Sequence, residues 1–217
     1  MEESIAKFVD YTFLKPSGPA GAVETLCAEA AAAGCAAVCV NPAETALAAR
    51  LLRSSPVKVC TVVDFPLGQG TAAMKRASAL DSIGNGADEL DVVLNRRLLR
   101  RGAAECEAGL APFASVRRET DRPVVLKLIL ECCDLERGEI VAACGIARRL
   151  GFDFVKTSTG FGAGGATVED VRLMRSAAGP EMGVKAAGGI RTFADASAML
   201  AAGATRIGAS AKVWLRP

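Results

Sequence analysis

Short apolar runs rich in β-branched residues alternate along the whole chain with longer segments of helical periodicity. Runs that are apolar at nearly every position are typical of parallel strands buried on both faces, and each such strand needs a crossover helix. The pattern predicts eight strands, at residues 8–14, 36–42, 57–65, 89–95, 124–130, 154–161, 182–187 and 205–210.

The segments between these runs predict helices with recognisable starts and stops. Thr167 and Thr192 are each followed by acidic residues within one turn, which is typical of an N-cap, and Gly34 and Gly151 follow helical segments directly. The predicted helices lie at residues 2–7, 20–33, 71–83, 97–119 and 136–150, and others begin at 42, 167 and 192.

Strand and helix thus repeat as eight units of about 25–30 residues, which favours a (β/α)8 TIM barrel over a doubly wound open sheet. No linker or shift in composition divides the chain, so we expect residues 1–217 to form a single barrel domain. The given sequence ends at Pro217, and the last outer helix is therefore expected to be short or missing.

The charge distribution argues against polyanionic partners. The formal net charge is +2 and the basic residues are dispersed, so we expect neither nucleic acid nor a membrane surface as a partner, whereas a small anionic substrate fits. The N-terminal segment lacks the pattern of a signal peptide, and no apolar run reaches bilayer length, which predicts a cytoplasmic protein. The sequence leaves the oligomeric state open, with a homodimer or homotetramer as candidates.

Two residue types narrow the chemistry. The 8 cysteines include no CxxC pair and sit mostly in apolar segments, so they are expected to be buried thiols. The chain contains 0 histidines, which excludes a Ser/His/Asp triad and a histidine-ligated zinc site. Of the 26 basic residues only 8 are lysines, and lysine, unlike arginine, can form an imine.

Three of these lysines form a set. Lys127, Lys156 and Lys185 are spaced 29 residues apart, each inside one of three consecutive predicted strands, so their side chains are expected to crowd together. Burial and a neighbouring cation both favour the neutral amine, the form that attacks a carbonyl. Salt-bridged structural lysines are the alternative. Asp91 is the best candidate for a proton shuttle or a counter-charge, and Glu131 is a weaker one.

Glycine-rich turns follow the last strands. In barrels the loops after strands 7 and 8 commonly bind phosphate beside a helix N-terminus. These loops predict a phosphate or substrate site formed by Gly188, Gly189, Gly208 and Ser210, with Gly160 and Thr157 contributing from the preceding unit.

The motifs resemble the deoxyribose-phosphate aldolases, a family of class I aldolases with a TIM-barrel fold. The similar stretches run almost from end to end and include residues 10–16, 38–42, 64–68, 86–91, 126–131, 154–161, 184–190 and 206–210. The resemblance implies that Lys156 forms the imine, that Lys185 makes this amine easier to deprotonate, and that Asp91 relays protons.

It further implies reversible cleavage of 2-deoxy-D-ribose 5-phosphate to acetaldehyde and D-glyceraldehyde 3-phosphate in deoxyribonucleotide catabolism, with no metal or organic cofactor. The chain departs from the family pattern at Tyr11, Ala187, Ala209 and Ala211. Two alternatives therefore stay open: a catalytically silent barrel that binds a sugar phosphate, and another lysine-dependent lyase of sugar phosphates.

Overall fold

The computed structural model describes residues 4–215 and contains a closed parallel barrel in which each strand pairs with its neighbours in chain order. This architecture confirms the predicted (β/α)8 fold. The strands found in the described residues are β1 (Val9–Phe13), β2 (Ala37–Val40), β3 (Lys58–Val63), β4 (Glu89–Val93), β5 (Val125–Ile129), β6 (Phe154–Lys156), β7 (Gly183–Ala187) and β8 (Arg206–Ala209).

Helices cover the outside of the barrel. Thr71, Thr167 and Thr192 act as N-caps, each accepting a hydrogen bond from the backbone N–H three residues on, as predicted for the last two. The helices are α1 (Ala22–Ala33), α2 (Thr45–Leu51), α3 (Ala72–Gly84), α4 (Arg96–Arg101), α5 (Ala103–Ala114), α6 (Arg137–Arg149), α7 (Val168–Ala178) and α8 (Phe193–Ala201).

Three predicted boundaries were wrong or fall partly outside the described residues. The helix predicted at 97–119 is divided into α4 and α5, because Gly102 adopts φ 149° and ψ 152° and interrupts the helical hydrogen bonds. β6 leaves the sheet after Lys156 instead of continuing to residue 161. Of the helix predicted at 2–7, residues 2 and 3 lie outside the described range, and Ile5–Phe8 forms a single 3₁₀ turn.

Two apolar clusters hold the barrel together. The larger lies between the strands and the surrounding helices, where residues such as Leu90, Leu126 and Val155 are fully buried. A smaller cluster fills the barrel interior on the side of β1 to β3 and consists of Leu14, Ala37, Cys39, Cys60 and Val62. The rest of the interior, formed by β4 to β8 together with Asp10 of β1, is ionic and carries the site described below.

Two further expectations concerned the burial of the cysteines and the absence of a membrane-spanning segment. All the cysteines are free thiols and all are buried except Cys133, as predicted from their apolar surroundings. None of the described helices combines the length and apolar character needed to cross a bilayer.

Candidate active site

Three lysines converge on one carboxylate inside the barrel. The Nζ atoms of Lys127, Lys156 and Lys185 lie 2.8, 2.8 and 2.7 Å from the carboxylate oxygens of Asp91, which is fully buried. Inward-facing positions alternate along each strand, so one carboxylate on β4 reaches lysines from β5, β6 and β7. The structure therefore brings together the four residues that the sequence singled out.

The three lysines do not lie at one height along the barrel, although their equal spacing in the sequence suggested that they would. Lys156 is the direct register partner of Lys185, whereas Lys127 pairs with Phe154, two residues before Lys156 on the same strand. Equal spacing along the chain does not give equal height, because strands in a barrel are staggered. Lys127 consequently lies one inward position deeper, further from the carboxyl ends of the strands.

Two buried acids and an arginine complete the cluster, and the sequence reading missed all three. Asp10 Oδ2 lies 2.5 Å from Lys185 Nζ, and Glu89 Oε2 lies 2.5 Å from Lys127 Nζ. Arg206 donates from Nη1 to Asp10 Oδ1 at 2.6 Å and to Glu89 Oε2 at 3.1 Å. Glu89 stands two positions before Asp91, so strand alternation placed it on the same face, which is the signal that could have revealed it.

The ion pairs shift the pKa values of these groups in a consistent direction. Burial raises the pKa of Asp91, but the charges of Lys127, Lys156 and Lys185 outweigh it and hold the pKa well below its usual range. Burial lowers the pKa of Lys185, and the carboxylates of Asp10 and Asp91 more than reverse this, so that it lies above the ordinary lysine value. Burial also lowers the pKa of Lys127, and nearby charges, including those of Asp91 and Glu89, more than reverse this and raise it well above its usual value. Asp91 is thus anionic, and Lys127 and Lys185 are cationic.

Two thiols adjoin Asp91. Cys60 Sγ lies 3.1 Å from Asp91 Oδ1 and 3.3 Å from Lys127 Nζ, and Cys39 is its register partner on the neighbouring strand. Among the described residues, ligand atoms suited to a metal ion cluster within 4.8 Å of one another in two sets, Cys39–Cys60–Asp91 and Asp10–Cys60–Glu89. The ammonium group of Lys127 contacts both sets and so holds the position that a cation would take.

A cavity of about 360 Å³ opens at the carboxyl ends of β1, β6, β7 and β8. Lys156 is the one member of the lysine cluster that lines it, and Lys15 and Arg191 add positive charge at its mouth. Apolar walls come from residues such as Phe13, Phe161 and Ile190. The predicted binding residues that line this cavity are Gly160, Gly188, Gly189, Gly208 and Ser210.

Glycine is required at two of these positions by the backbone. Gly188 and Gly189 both adopt positive φ, at 86° and 78°, which consecutive L-residues with side chains rarely do.

A third glycine is required for space: a Cβ on Gly208 would lie 2.9 Å from Ala187 Cβ and 3.2 Å from Lys185 Cε. Gly208 therefore leaves the space that the Lys185 side chain occupies.

Two predicted site residues, Thr157 and Glu131, are not among the residues that line the cavity, and both make hydrogen bonds within the protein. Thr157 was predicted to bind substrate at the rim, but its side chain is fully buried, donating to the Ala187 carbonyl and accepting from the Ala187 N–H, both at 3.0 Å. Glu131, the weaker candidate shuttle, accepts hydrogen bonds from the N–H and hydroxyl of Thr159. Thr157 ties β6 to β7, and Glu131 anchors the loop after Lys156.

Of the four residues that depart from the family pattern, two line the cavity, whereas Tyr11 and Ala211 pack in or against the apolar core. The Tyr11 hydroxyl donates to Glu29 of α1 at 3.0 Å, and its ring packs edge-on against Trp214. Ala187 and Ala209 line the cavity wall. The Tyr11 departure therefore concerns the packing outside the barrel rather than contact with substrate.

The closed (β/α)8 barrel and the cavity at the carboxyl ends of its strands define the class of barrel enzymes. The family model described as DeoC/LacD family aldolase matches residues 6–213. The chain belongs to this aldolase family and is accordingly a carbon–carbon lyase.

Named relatives agree with this assignment over nearly the whole chain. A deoxyribose-phosphate aldolase of Clostridium perfringens (strain SM101 / Type A) is 47% identical over 212 residues, covering 98% of this chain and 94% of the relative. A deoxyribose-phosphate aldolase of Caldanaerobacter subterraneus subsp. tengcongensis is 49% identical over 213 residues, covering 97% and 91%.

Solved structures of aldolases share the fold closely. The deoxyribose phosphate aldolase of Aeropyrum pernix, described as a unique tetramer, has a TM-score of 0.87 and 34% identity, covering 95% of this chain and 86% of that one. An aldolase called QR15 has a TM-score of 0.88 and 37% identity, with coverage of 97% and 92%.

Proposed function

We propose that this chain reversibly cleaves 2-deoxy-D-ribose 5-phosphate to acetaldehyde and D-glyceraldehyde 3-phosphate through an imine on Lys156. The observation that carries the proposal is that Lys156 lines the cavity while Lys127 and Lys185 lie buried behind it, paired with the same aspartate. The names of the relatives, which match nearly the full chain, support the choice of substrate.

The neutral amine of Lys156 adds to the C1 aldehyde carbon of the open-chain sugar, and loss of water leaves an iminium ion. The C2–C3 bond then breaks as the C3 hydroxyl gives up its proton, and the electron pair of that bond forms the enamine. Glyceraldehyde 3-phosphate departs. Protonation of the enamine at C2 and hydrolysis of the resulting iminium release acetaldehyde and restore the amine.

Asp91 and Lys185 support this cycle from behind the reacting amine. Asp91 stays anionic and holds Lys156 at 2.8 Å, so it orients the lysine nitrogen and the water that relays protons to and from the reacting groups. Lys185 stays cationic, shares Oδ2 of Asp91 with Lys156, and thereby weakens the pull of that carboxylate on the Lys156 proton.

The phosphate end of the substrate is assigned to the loops after β7 and β8. Gly188, Gly189, Gly208 and Ser210 line the cavity and offer backbone N–H groups and a hydroxyl for this role. Arg191, which the sequence reading did not single out, adds a guanidinium suited to phosphate. Lys156 and the phosphate loops then line the same cavity of about 360 Å³.

The decisive experiment is trapping with borohydride in the presence of acetaldehyde, followed by peptide mass spectrometry. We expect one reduced adduct on Lys156, together with cleavage of deoxyribose 5-phosphate. Lys156→Arg keeps the charge, and we expect it to abolish the adduct and lower kcat by about 10³-fold or more. Lys58→Arg, at the exposed start of β3, is the matched control and retains both.

Each alternative has its own outcome in this experiment. A silent sugar-phosphate-binding barrel would be stabilised by ligand without turnover and would be indifferent to Lys156→Arg. Another lysine-dependent lyase would cleave fructose phosphates in preference to deoxyribose 5-phosphate. An adduct found on Lys185 or Lys127 alone would contradict the roles assigned here.

Three broader proposals accompany the reaction. We propose that residues 1–217 form one aldolase domain, that the chain assembles as a homodimer or homotetramer, and that it works in the cytoplasm. The described tetramer of the Aeropyrum pernix relative supports assembly, and the buried free thiols fit a reducing compartment. Light scattering coupled to size-exclusion chromatography measures the oligomeric state directly, and a monomer would contradict the proposed assembly.

A further inference from the structure

Arg206 lies deep in the barrel and takes no part in lining the cavity. Its guanidinium contacts Asp10 and Glu89 and lies 5.2 Å from the centre of the Phe154 ring. Only 15% of the Arg206 side chain is exposed. The proposed reaction needs no contact between this residue and the substrate. Its buried position therefore calls for a different explanation.

The buried cluster does not balance its own charges. Among the described residues, its four cationic side chains face three carboxylates, so the fully ionised cluster carries one excess positive charge. Such an excess is costly in the low-dielectric interior, and it is removed when one lysine releases a proton. The cations are Lys127, Lys156, Lys185 and Arg206, and the carboxylates are Asp10, Glu89 and Asp91.

The contacts decide which cation gives up the proton. Arg206 cannot, because a guanidinium remains protonated in proteins. Lys127 binds both Glu89 and Asp91, and Lys185 binds both Asp10 and Asp91. Lys156 has Asp91 as its one carboxylate partner in the salt bridges of the described residues, shares it with the other two lysines, and reaches the cavity.

We propose that Arg206 is a positioning residue whose fixed charge, held by Asp10 and Glu89, makes Lys156 the group that releases its proton and so delivers the neutral amine. The inference rests on the proposed imine chemistry of Lys156. Arg206 adds a third fixed cation to Lys127 and Lys185. These three cations already balance the three carboxylates, so no negative charge is left over for an ammonium on Lys156.

The distance between Lys156 and Arg206 is short enough for the charge of Arg206 to have a measurable electrostatic effect at Lys156. Lys156, Lys185 and Arg206 are successive register partners across β6, β7 and β8, so the Cα atoms of Lys156 and Arg206 lie about 10 Å apart. At an effective dielectric constant of about 20, one unit charge at this distance shifts a proton equilibrium by about one pH unit.

The other titratable and charged groups around Lys156 remain in place in the variants below. Asp91 faces it from β4 and Lys185 from β7, while the thiols of Cys39 and Cys60 adjoin Asp91 from β2 and β3. Lys15 and Arg191 stand at the cavity mouth, and Glu131 binds the loop that follows β6.

The test measures the rate of imine formation with acetaldehyde from pH 5 to pH 10, because this aldehyde has no ionisable group in that range. In Arg206→Met we expect the rise in rate with pH to move up by about one unit, which lowers the rate about tenfold at a pH below that rise. Arg206→Lys keeps the charge and retains the wild-type profile. Glu89→Gln adds to the excess positive charge and moves the rise down by about one unit.

The double variant Glu89→Gln/Arg206→Met restores the charge balance, and we expect its profile to return to that of the wild type. A uniform drop at every pH in Arg206→Met, or an equal shift in Arg206→Lys, would assign Arg206 a packing role and overturn the proposal. If Arg206→Met does not fold, Glu89→Gln decides: an unmoved profile rejects the proposal. Failure of the wild type to form an adduct on Lys156 would instead contradict the proposed function.

Discussion

Lys156 and Lys185 are register partners on β6 and β7, and their Nζ atoms lie 2.8 and 2.7 Å from the same oxygen, Oδ2 of Asp91. Of the two lysines, only Lys156 lines the cavity. In the proposed reaction Lys185 therefore holds the carboxylate, and Lys156 is the amine that meets the substrate.

Replacing Asp91 tests how strongly this carboxylate holds the cluster. Asp91→Asn leaves the buried ammonium groups of Lys127 and Lys185 without the counter-charge that they share, so we expect a loss of about 3–5 kcal/mol in the free energy of unfolding at pH 7. The measurement is urea denaturation. Glu105→Gln is the matched control, since it breaks the exposed pair with Arg101 and is expected to cost less than about 1 kcal/mol. Equal losses in both variants would show that the buried network adds nothing.

The stability of the fold should depend on pH at both ends of the range. The depressed pKa values of Asp10 and Asp91 give stability that is present above the unfolded pKa of about 4 and is lost as the pH falls further. The raised pKa values of Lys127 and Lys185 give stability that is complete below about 10.4 and is lost as the pH rises through the folded values. Urea midpoints between pH 3 and pH 11 should show a plateau between these limits, and a midpoint that falls steadily through neutrality would contradict it.

Thr157 offers a way to separate a structural role from a binding role. Thr157→Val keeps the shape but removes both hydrogen bonds to Ala187, so we expect a loss of about 1–3 kcal/mol in stability. We expect the KM for deoxyribose 5-phosphate to change little. Thr157→Ser should recover most of the stability. A large increase in KM with unchanged stability would instead support the contact with substrate that the sequence suggested.

Gly208 makes room for the second lysine. In Gly208→Ala the new methyl group would lie 2.9 Å from Ala187 Cβ and 3.2 Å from Lys185 Cε, so the side chains of Ala187 and Lys185 must shift to make room. Because a displacement of about 1 Å near the reacting groups can cost about 10²-fold, we expect this smaller shift to lower kcat by about 10-fold. Gly138→Ala in α6 meets no atom within 4 Å and is the control, with unchanged kcat. An unaffected kcat in Gly208→Ala would mean that the lysine tolerates displacement.

Arg191 should discriminate between phosphorylated and plain sugars. Arg191→Gln removes a guanidinium from the cavity mouth, so we expect the KM for deoxyribose 5-phosphate to rise by about 10-fold. The kcat/KM for unphosphorylated 2-deoxyribose should stay within about twofold, because that sugar has no anion to lose. Steady-state kinetics with both sugars gives the comparison, and equal losses for the two would place the role of Arg191 elsewhere.

The sequence by itself determined the order of strands and helices, because apolar runs and N-cap residues act over a few neighbouring positions. It also identified Lys127, Lys156, Lys185 and Asp91, since charged residues inside apolar strands stand out against their surroundings. Gly102 shows the limit of this reading: it breaks a segment whose overall pattern predicts one continuous helix.

Only the tertiary structure decided the stagger of the strands, which places Lys127 below Lys156 and brings Asp10, Glu89 and Arg206 into the same cluster. Asp10 and Arg206 are 196 residues apart in sequence and meet because the barrel closes between β1 and β8. The repeating pattern predicts that the barrel closes, but it does not predict which side chains of β1 and β8 meet there. For the same reason, the excess charge that distinguishes Lys156 from its two neighbours emerges only when all eight strands are in place.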